Sequence, residues 1–110
     1  MTRVTFFQNH DGRLTGFDAK DHAGYAEEGE DIVCAAISAL VINTVNSLDA
    51  LTSDPIRNSY DEENAAISLR IEDEHSDGAE LLLRSLLLGL SEMENDESYK
   101  DFIDLIIEEV

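Results

Sequence analysis

Hydrophobic and polar positions along the N-terminal half of the chain predict two short strands followed by a long helix. Residues 3–8 and 13–19 are β-prone and flank Asp11-Gly12, a dipeptide that favours a tight hairpin turn because glycine tolerates positive φ. The polar residues 21–31 predict a loop. Apolar side chains then occupy most positions of Ile32–Leu51, which predicts a central helix that is buried on most sides.

The next segments predict a second pair of strands. Asp54-Pro55 should end the first helix, because the residue before a proline is disfavoured in helical geometry. Residues 56–60 form a short candidate strand, and residues 61–64 form a turn. Residues 65–73 then alternate between apolar and polar side chains, which is typical of a strand with one buried face.

A leucine-rich stretch predicts the second helix. Leucines at helical spacing form an apolar stripe that ends at Met93, and Asp77 with Glu80 three residues later fits a capping pattern. His75 precedes this cap and is expected to be exposed. The leucine-rich surface extends to Leu88, so part of it could face a second subunit.

The C-terminal tail is ambiguous, because residues 98–110 fit both helical spacing and strand alternation. The order of elements is therefore strand, strand, helix, strand, strand, helix and tail. This order predicts a single domain over residues 1–110 with an α+β fold. We expect a two-layer sandwich in which two long helices pack on a mostly antiparallel or mixed β-sheet.

The charge balance narrows the range of partners. The chain has 25 acidic and 7 basic residues and a formal net charge of −18. Direct binding of nucleic acid is not expected, because it requires clusters of Lys and Arg. A basic protein or peptide is the natural partner. The alternative is that the charge serves only solubility or adaptation to high salt.

The single cysteine excludes an intramolecular disulfide and favours a reducing compartment. Residues 1–12 lack the apolar core of a signal peptide. No apolar run reaches the roughly 20 residues that span a membrane. We therefore expect a cytoplasmic protein without a membrane partner, and nothing in the sequence predicts a cofactor.

Cys34 is the first candidate for chemistry, because the predicted helix would begin just before it. With Asp31 as the N-cap, the thiol would lie in the first turn. There the helix dipole favours a thiolate, and backbone N–H groups can bind an oxyanion. Asp31 would oppose the formation of this thiolate, since a nearby negative charge raises the pKa of a thiol. It either caps the helix or turns outward to orient His22 as the third member of a triad.

His22 is the candidate base, twelve residues before Cys34 and separated from it by a loop that contains Gly24 and Gly29. Such a loop permits the imidazole to reach the thiol but does not require it. From the residues alone a buried structural cysteine is favoured, because free cysteine behaves as a small hydrophobic side chain. A metal site of His22, Asp21 and Cys34 is a weaker hypothesis, since one His and one Cys lack the spacing of a zinc site.

Residues 22–40 resemble the signature of a known family, the ribosomal processing cysteine proteases (Prp). The matching positions are His22-Ala23, Gly29, Asp31-Ile32-Val33-Cys34-Ala35-Ala36 and Ser38. The similarity extends to the chain length, the N-terminal hairpin and the leucine-rich helix. The family usually has Gly before the histidine, where this chain has Asp21. Aspartate tolerates the left-handed backbone that glycine allows, and its charge beside the histidine bears on the pH optimum.

The resemblance implies a cysteine endopeptidase that removes the N-terminal extension of a bacterial large-subunit ribosomal protein, L-twenty-seven, during ribosome assembly. It implies Cys34 as the nucleophile, His22 as its base, a homodimer and a C-terminal strand over residues 101–109. Ser38, one turn after Cys34, either supports the site by a hydrogen bond or fills space. The two loop glycines would be hinges of a loop that closes over substrate. The alternative function is a non-catalytic acidic module that binds a basic ribosomal protein.

Overall fold

The computed structural model describes residues 1–21 and 30–110, which form a five-stranded sheet and two long helices. In chain order the elements are β1 (Thr2–Gln8), β2 (Leu14–Asp21), α1 (Glu30–Leu51), β3 (Ile56–Asp61), β4 (Ala66–Ile71), α2 (Asp77–Glu94) and β5 (Ile103–Glu109), with a 3-10 turn at Lys100–Phe102. The predicted hairpin, helices and central strands are confirmed, and the ambiguous C-terminal tail is a strand.

The strands lie in the order β3-β4-β2-β1-β5. Neighbouring strands are antiparallel, except that β5 runs parallel to β1. Both helices pack on one face of the sheet, because their buried side chains join those of the strands in a single core. The structure therefore confirms an α+β two-layer sandwich with a mixed sheet.

The core follows the alternation of the strands and the helical spacing of α1 and α2. Val4 and Phe6 of β1 are buried on the helix-facing side of the sheet, and the ring centroid of Phe6 lies 5.9 Å from that of Phe17. The buried apolar residues of the helices are Val33, Ile37, Val41 and Leu48 of α1 and Ala79, Leu83, Leu86 and Leu90 of α2. Each helix thus contributes one stripe, and the opposite faces stay outside the core.

Helix α1 differs from the prediction in its start and in its burial. It begins at Glu30 rather than near Ile32, so Asp31 is its second residue and not the predicted N-cap. The expectation of burial on most sides is also wrong, because Ile32 is 68% exposed and Ile42 is 49% exposed. Of the described part of α1, the stripe that packs on the sheet is covered, and no other described element forms a third layer over its outer face.

The segment Ile32–Leu51 of α1 is also long and apolar enough to cross a membrane, by length and composition alone. This finding contradicts the expectation that no apolar run approaches a membrane-spanning length. In the fold, the buried stripe of this helix packs against the sheet. The core helix of a globular domain can meet the same criteria, because burial and membrane insertion both select apolar residues.

The start of α2 is capped by Ser76 and not, as predicted, by Asp77. Ser76 has extended dihedrals, and its Oγ accepts a hydrogen bond from the Ala79 N–H at 3.1 Å. The Ser76 N–H in turn donates to Asp54 Oδ1 at 2.9 Å. The Ser76 hydroxyl also donates to Asp54 Oδ2, and the hydrogen bonds from this hydroxyl and from the N–H lower the pKa of Asp54. The helix start is therefore tied to the connection that follows α1.

His75 is buried, although the sequence predicted an exposed side chain. Its imidazole is 0% exposed, with Nδ1 at 2.7 Å from the Glu72 carbonyl oxygen and Nε2 at 2.6 Å from Glu80 Oε1. The Glu80 carboxylate also accepts hydrogen bonds from the Leu14 N–H and from Arg84. Glu80 therefore links α2 to the N-terminal hairpin instead of completing a capping box.

One end of the sandwich brings together the end of β2, the start of α1 and the turn between β3 and β4. Lys20 near the end of β2 pairs with Ala66 at the start of β4. Helix α1 follows β2 in the chain and runs back along the sheet. The His75–Glu80 pair lies at the other end, where Leu14 begins β2.

Candidate active site

A cleft of about 350 Å³ lies between helix α1 and the edge strand β3. The lining residues are Cys34, Ser38, Ile42, Val45 and Asn46 of α1, Asn58, Ser59 and Tyr60 of β3, Ala65 of the turn, and Ile67 of β4. The single cysteine of the chain is half-buried and lines this cleft. This position contradicts the buried structural cysteine that the residues alone favoured.

The rotation of α1 on the sheet sets the direction of its cleft residues. Val33, Ile37 and Val41 are buried beneath the helix. Cys34 and Ser38 each follow one of these core residues by a single position. Being four residues apart, they share one flank of the helix, and this flank faces β3. Core packing therefore places two of the predicted site residues in the same cleft.

Strands β3 and β4 form the opposite wall of the cleft. Asn58 pairs with Leu69, and Tyr60 pairs with Ile67. Because Leu69 is part of the core, Asn58 and Tyr60 lie on the helix-facing side of β3. Ser59 alternates to the other face and still lines the cleft, so its main chain forms part of the wall.

The turn between β3 and β4 lies at the same end of the sandwich and holds a residue in an uncommon conformation. Ala65, which lines the cleft, has φ of 48°, a left-handed value that costs a non-glycine residue about 1–2 kcal/mol. Asp61 accepts hydrogen bonds from the side chain and backbone N–H of Asn64, and these lower the pKa of Asp61. The turn is therefore held in place beside the cleft at a local conformational cost.

The described lining of the cleft is uncharged, although the chain is strongly acidic. Its described lining includes no Asp, Glu, Lys or Arg, although the chain has 25 acidic and 7 basic residues. Residues 32–48 of α1 also carry no charged side chain. The described walls combine apolar groups with the amides of Asn46 and Asn58 and the phenol of Tyr60. Such a lining suits an uncharged, largely apolar segment of a ligand.

The structure tests only part of the predicted site. Cys34 and Ser38 are brought together in the cleft. His22, Gly24 and Gly29 lie outside the described residues, so the His–Cys pair and the hinge loop stay predictions. Among the residues that the structure describes, no group of three or more His, Cys, Asp or Glu side chains is arranged to hold a metal ion.

The start of α1 changes the predicted oxyanion donors. Because the helix begins at Glu30, Cys34 is its fifth residue and lies beyond the first turn. Within the helix, the N–H groups that lack an intrahelical acceptor belong to residues 30–32, because the fourth residue of a helix donates to the carbonyl of the residue before the helix. An oxyanion would therefore be bound by the turn before Cys34. Asp31 lies within that turn.

Sequence reasoning missed the contribution of the edge strand. Residues 56–60 were predicted as a strand but were assigned no part in the site. The available signal was Asn58, a polar residue at a position that faces the helices, where a strand normally places an apolar side chain. Tyr60 gave no comparable signal, because an aromatic residue is common on a strand face.

Ionisable groups with perturbed pKa values also occur on the outer face of the sheet. Burial alone would raise the pKa of Asp18, but hydrogen bonds from Arg70 and Ser68 outweigh it and lower that pKa. Arg70 Nη1 lies 2.9 Å from Asp18 Oδ1, and its guanidinium stacks 4.1 Å from the ring centroid of Phe7. This cluster lies across the sheet from the helices and stabilises the strands there.

Comparison with known proteins identifies close structural relatives. A family model described as cysteine protease Prp matches residues 1–104. The ribosomal processing cysteine protease Prp of Staphylococcus aureus is 34% identical over 105 residues, which cover 96% of this chain and 97% of the relative. The crystal structure of Prp from S. aureus with a substrate peptide has a TM-score of 0.90 at 31% identity, and covers 98% of this chain and 100% of that chain. The S. aureus structure with a covalently linked product peptide has a TM-score of 0.84 at 33% identity, with the same coverage.

Proposed function

The chain belongs to the cysteine protease Prp family, and we propose that it is a cysteine endopeptidase that processes a ribosomal protein. Its proposed reaction removes the N-terminal extension of the bacterial large-subunit protein L-twenty-seven during ribosome assembly. One observation carries this proposal: the only cysteine of the chain lies in the cleft between α1 and β3. A relative with the same fold holds a covalently linked product peptide, as a nucleophilic mechanism would leave.

In the proposed mechanism, Cys34 attacks the scissile carbonyl carbon as a thiolate and forms a thioester with the N-terminal fragment. His22 accepts the thiol proton and then donates it to the departing amine. Water, activated by the same imidazole, hydrolyses the thioester and regenerates the thiol. Backbone N–H groups of residues 30–32 stabilise the oxyanion of each tetrahedral intermediate.

The lining of the cleft supports a substrate whose residues near the scissile bond are uncharged and mostly apolar. The helix side contributes Ile42 and Val45, and the sheet side contributes Ile67 and Tyr60. Basic residues elsewhere in the substrate would be attracted by the net charge of −18. This combination favours a basic protein with an apolar extension over a nucleic acid.

Supporting roles are proposed for three further features of the site. Ser38 faces the cleft with Cys34 and would hydrogen-bond the substrate or a catalytic group. Asp31 would orient His22, a role compatible with its position inside the helix rather than at the cap. The loop with Gly24 and Gly29 would close over the bound chain, and Asp21 would influence the pH optimum through the adjacent histidine.

We also propose a homodimer that packs through the outward faces of α1 and α2. Leu81 and Leu88, seven residues apart on α2, are 69% and 62% exposed, and Ile32 of α1 is also exposed. Exposed leucines that share one helix face in an acidic chain are typical of a protein interface. Sedimentation of the Leu88→Asp variant should give a monomer. The matched Ile107→Asp variant, which changes an exposed apolar residue of β5, should remain dimeric.

Cleavage of the extended substrate tests the proposed function. Purified L-twenty-seven with its N-terminal extension is incubated with the wild-type protein, Cys34→Ala, His22→Ala and His10→Ala, and the product masses are measured. His10 lies in the exposed hairpin turn and is the matched histidine control. We expect cleavage by the wild type and His10→Ala, and a loss of at least about 1,000-fold in the other two. Cleavage by the Cys34→Ala protein would refute the mechanism.

The alternative function is a non-catalytic module that binds a basic ribosomal protein. The excess of 18 negative charges favours it. In that case a stoichiometric complex should form without any change in substrate mass. Alkylation of Cys34 should then leave complex formation unaffected. We expect the protein to act in the cytoplasm, where the substrate is made, without a cofactor or a membrane partner.

A further inference from the structure

The two edge strands of the sheet differ in how their outward backbone groups are covered. On β5, the Val110 N–H that follows the strand donates to Gln8 of β1, so N–H groups of alternate residues point away from the sheet. Leu105 is one of these, and its N–H donates to Glu94 Oε2 of α2 at 3.0 Å. A carboxylate therefore occupies a position that an additional strand at β5 would need.

The opposite edge, β3, has no such cover within the part of the chain that the structure describes. Strand β3 pairs only with β4, and five of its six residues are exposed. None of the hydrogen bonds among described residues joins a side chain to the outward main-chain groups of β3. Among the described residues, a side chain therefore covers the β5 edge of the sheet, and none covers the β3 edge.

The open edge coincides with the cleft that contains Cys34. Ser59 contributes main chain to the cleft wall, because its side chain alternates to the other face of the sheet. Its neighbours Asn58 and Tyr60 project toward the helix side. A peptide that lies along β3 would thus contact the backbone groups of the β3 edge. It would also contact the flank of α1 that carries Cys34.

We propose that the substrate binds by adding an extended strand to the free edge of β3, with its scissile carbonyl presented to Cys34. This inference rests on the proposed peptidase function and specifies how the substrate chain is held. Six residues of β3 offer an edge about 20 Å long. Main-chain hydrogen bonds supply affinity, and every second side chain of the substrate enters the uncharged cleft. The segment around the cleaved bond must therefore be extended and free of proline at pairing positions.

Backbone methylation of the substrate tests this binding mode. A synthetic peptide that spans the extension and the cleavage point is made with a single N-methyl group at each position in turn. Side chains are unchanged in this series, and each peptide loses one N–H donor and gains one backbone methyl group. We expect kcat/KM to fall by about ten- to a hundredfold at every second position and to change little at the intervening positions. Binding of the same series to the Cys34→Ala protein should show the same alternation.

The two readouts separate failure of this inference from failure of the proposed function. If the unmodified peptide is cleaved but the losses show no period of two, strand addition is wrong and the peptidase function stands. If the peptide is not cleaved by the wild type, the peptidase function is wrong. Binding to the Cys34→Ala protein then decides strand addition: alternation supports it, and uniform effects or no binding overturn it.

Discussion

Glu80 should contribute more to stability than any single surface carboxylate, because three separate groups hydrogen-bond to its side chain. Oε1 lies 3.2 Å from the Leu14 nitrogen and 2.6 Å from His75 Nε2, and Oε2 lies 2.8 Å from Arg84 Nε. His75 Nδ1 faces the Glu72 carbonyl oxygen, which can only accept, so this nitrogen carries a hydrogen. A proton must also lie between Nε2 and Oε1, since both atoms would otherwise be acceptors.

The Glu80→Ala substitution removes these acceptors and leaves the Leu14 N–H and the Nε2 of His75 without the partner that Glu80 supplies. The Glu80 side chain is 15% exposed and that of His75 is 0% exposed, so water replaces the lost hydrogen bonds poorly. Each unsatisfied group costs about 1–3 kcal/mol, and we expect a total loss of about 3 kcal/mol. For a chain of 110 residues, this loss lowers Tm by roughly 10–13 °C. Glu80→Gln keeps one carbonyl oxygen and should lose about half as much.

Thermal unfolding followed by circular dichroism measures these differences, and Glu92→Ala is the matched control. Glu92 lies on the same helix and is exposed, so its removal should change stability by less than about 0.5 kcal/mol. A Glu80→Ala protein that unfolds within about 2 °C of the wild type at pH 7 would show that the network contributes little.

The pH dependence gives a second measurement with a defined sign. Burial alone would raise the pKa of Glu80, but hydrogen bonds from His75, Arg84 and the Leu14 N–H outweigh it and lower the pKa below 4.5. A lowered pKa in the folded state stabilises the fold above about pH 4.5 and loses this contribution as the pH falls below that value. The Tm difference between the wild type and Glu80→Ala should therefore shrink from pH 7 to pH 3.5. A difference that grows toward acid would contradict this assignment.

Three further substitutions have expected outcomes that follow from local geometry. Gly16→Ala would place a Cβ against the Leu69 carbonyl oxygen, so we expect the free energy of unfolding, measured by chemical denaturation, to fall by at least about 3 kcal/mol. A near-neutral effect would mean that β2 and β4 can move apart. Ala65→Gly relieves the φ of 48° and should raise stability by about 0.5–1 kcal/mol in the same assay, whereas a loss would show that the turn is unstrained. Glu94→Ala exposes the Leu105 N–H at the edge of β5 and should cause concentration-dependent association, measured by sedimentation. Unchanged sedimentation would show that the carboxylate does not prevent association at this edge.

The fold could be predicted from the sequence wherever pattern and local chemistry agree. The dipeptide Asp11-Gly12, the alternation of residues 65–73 and the leucine stripe of α2 each indicate one element type, and each element is present. The burial of α1 could not be predicted in the same way. Its apolar composition does not distinguish a helix covered on all sides from one that packs on a single sheet, because that depends on how many layers the fold has.

His75 and Ser76 show where local reasoning fails. A histidine before a helix is normally solvated, and only the tertiary approach of the N-terminal hairpin surrounds this one. Ser76 caps the helix through a local hydrogen bond from the Ala79 N–H, and Asp54, distant in the chain, holds Ser76 in place by accepting its N–H. The burial of His75 and the anchoring of Ser76 depend on contacts between residues far apart in sequence, which a local pattern does not contain.

Only part of the candidate site was accessible from the sequence. Cys34 and Ser38 could be paired because helical spacing places them on one flank. The opposite wall comes from β3, which begins 18 residues after Ser38 and 22 residues after Cys34, and the two walls meet because of the strand order in the sheet. Helical periodicity predicts which residues share a face, but it does not identify the strand that this face meets.

The described lining of the cleft is uncharged while the chain is strongly acidic, so different forces govern how a substrate approaches the site and how it is retained there. Attraction between a net charge of −18 and a basic protein accelerates their encounter, and mobile ions screen it over roughly 10 Å at 0.1 M salt. Apolar contacts and main-chain hydrogen bonds in the cleft are much less sensitive to salt. Ionic strength should therefore change the association rate constant and leave the dissociation rate constant nearly unchanged. The ionic strength of the solution would then regulate how often a substrate binds, and the contacts in the cleft would determine how long it remains bound.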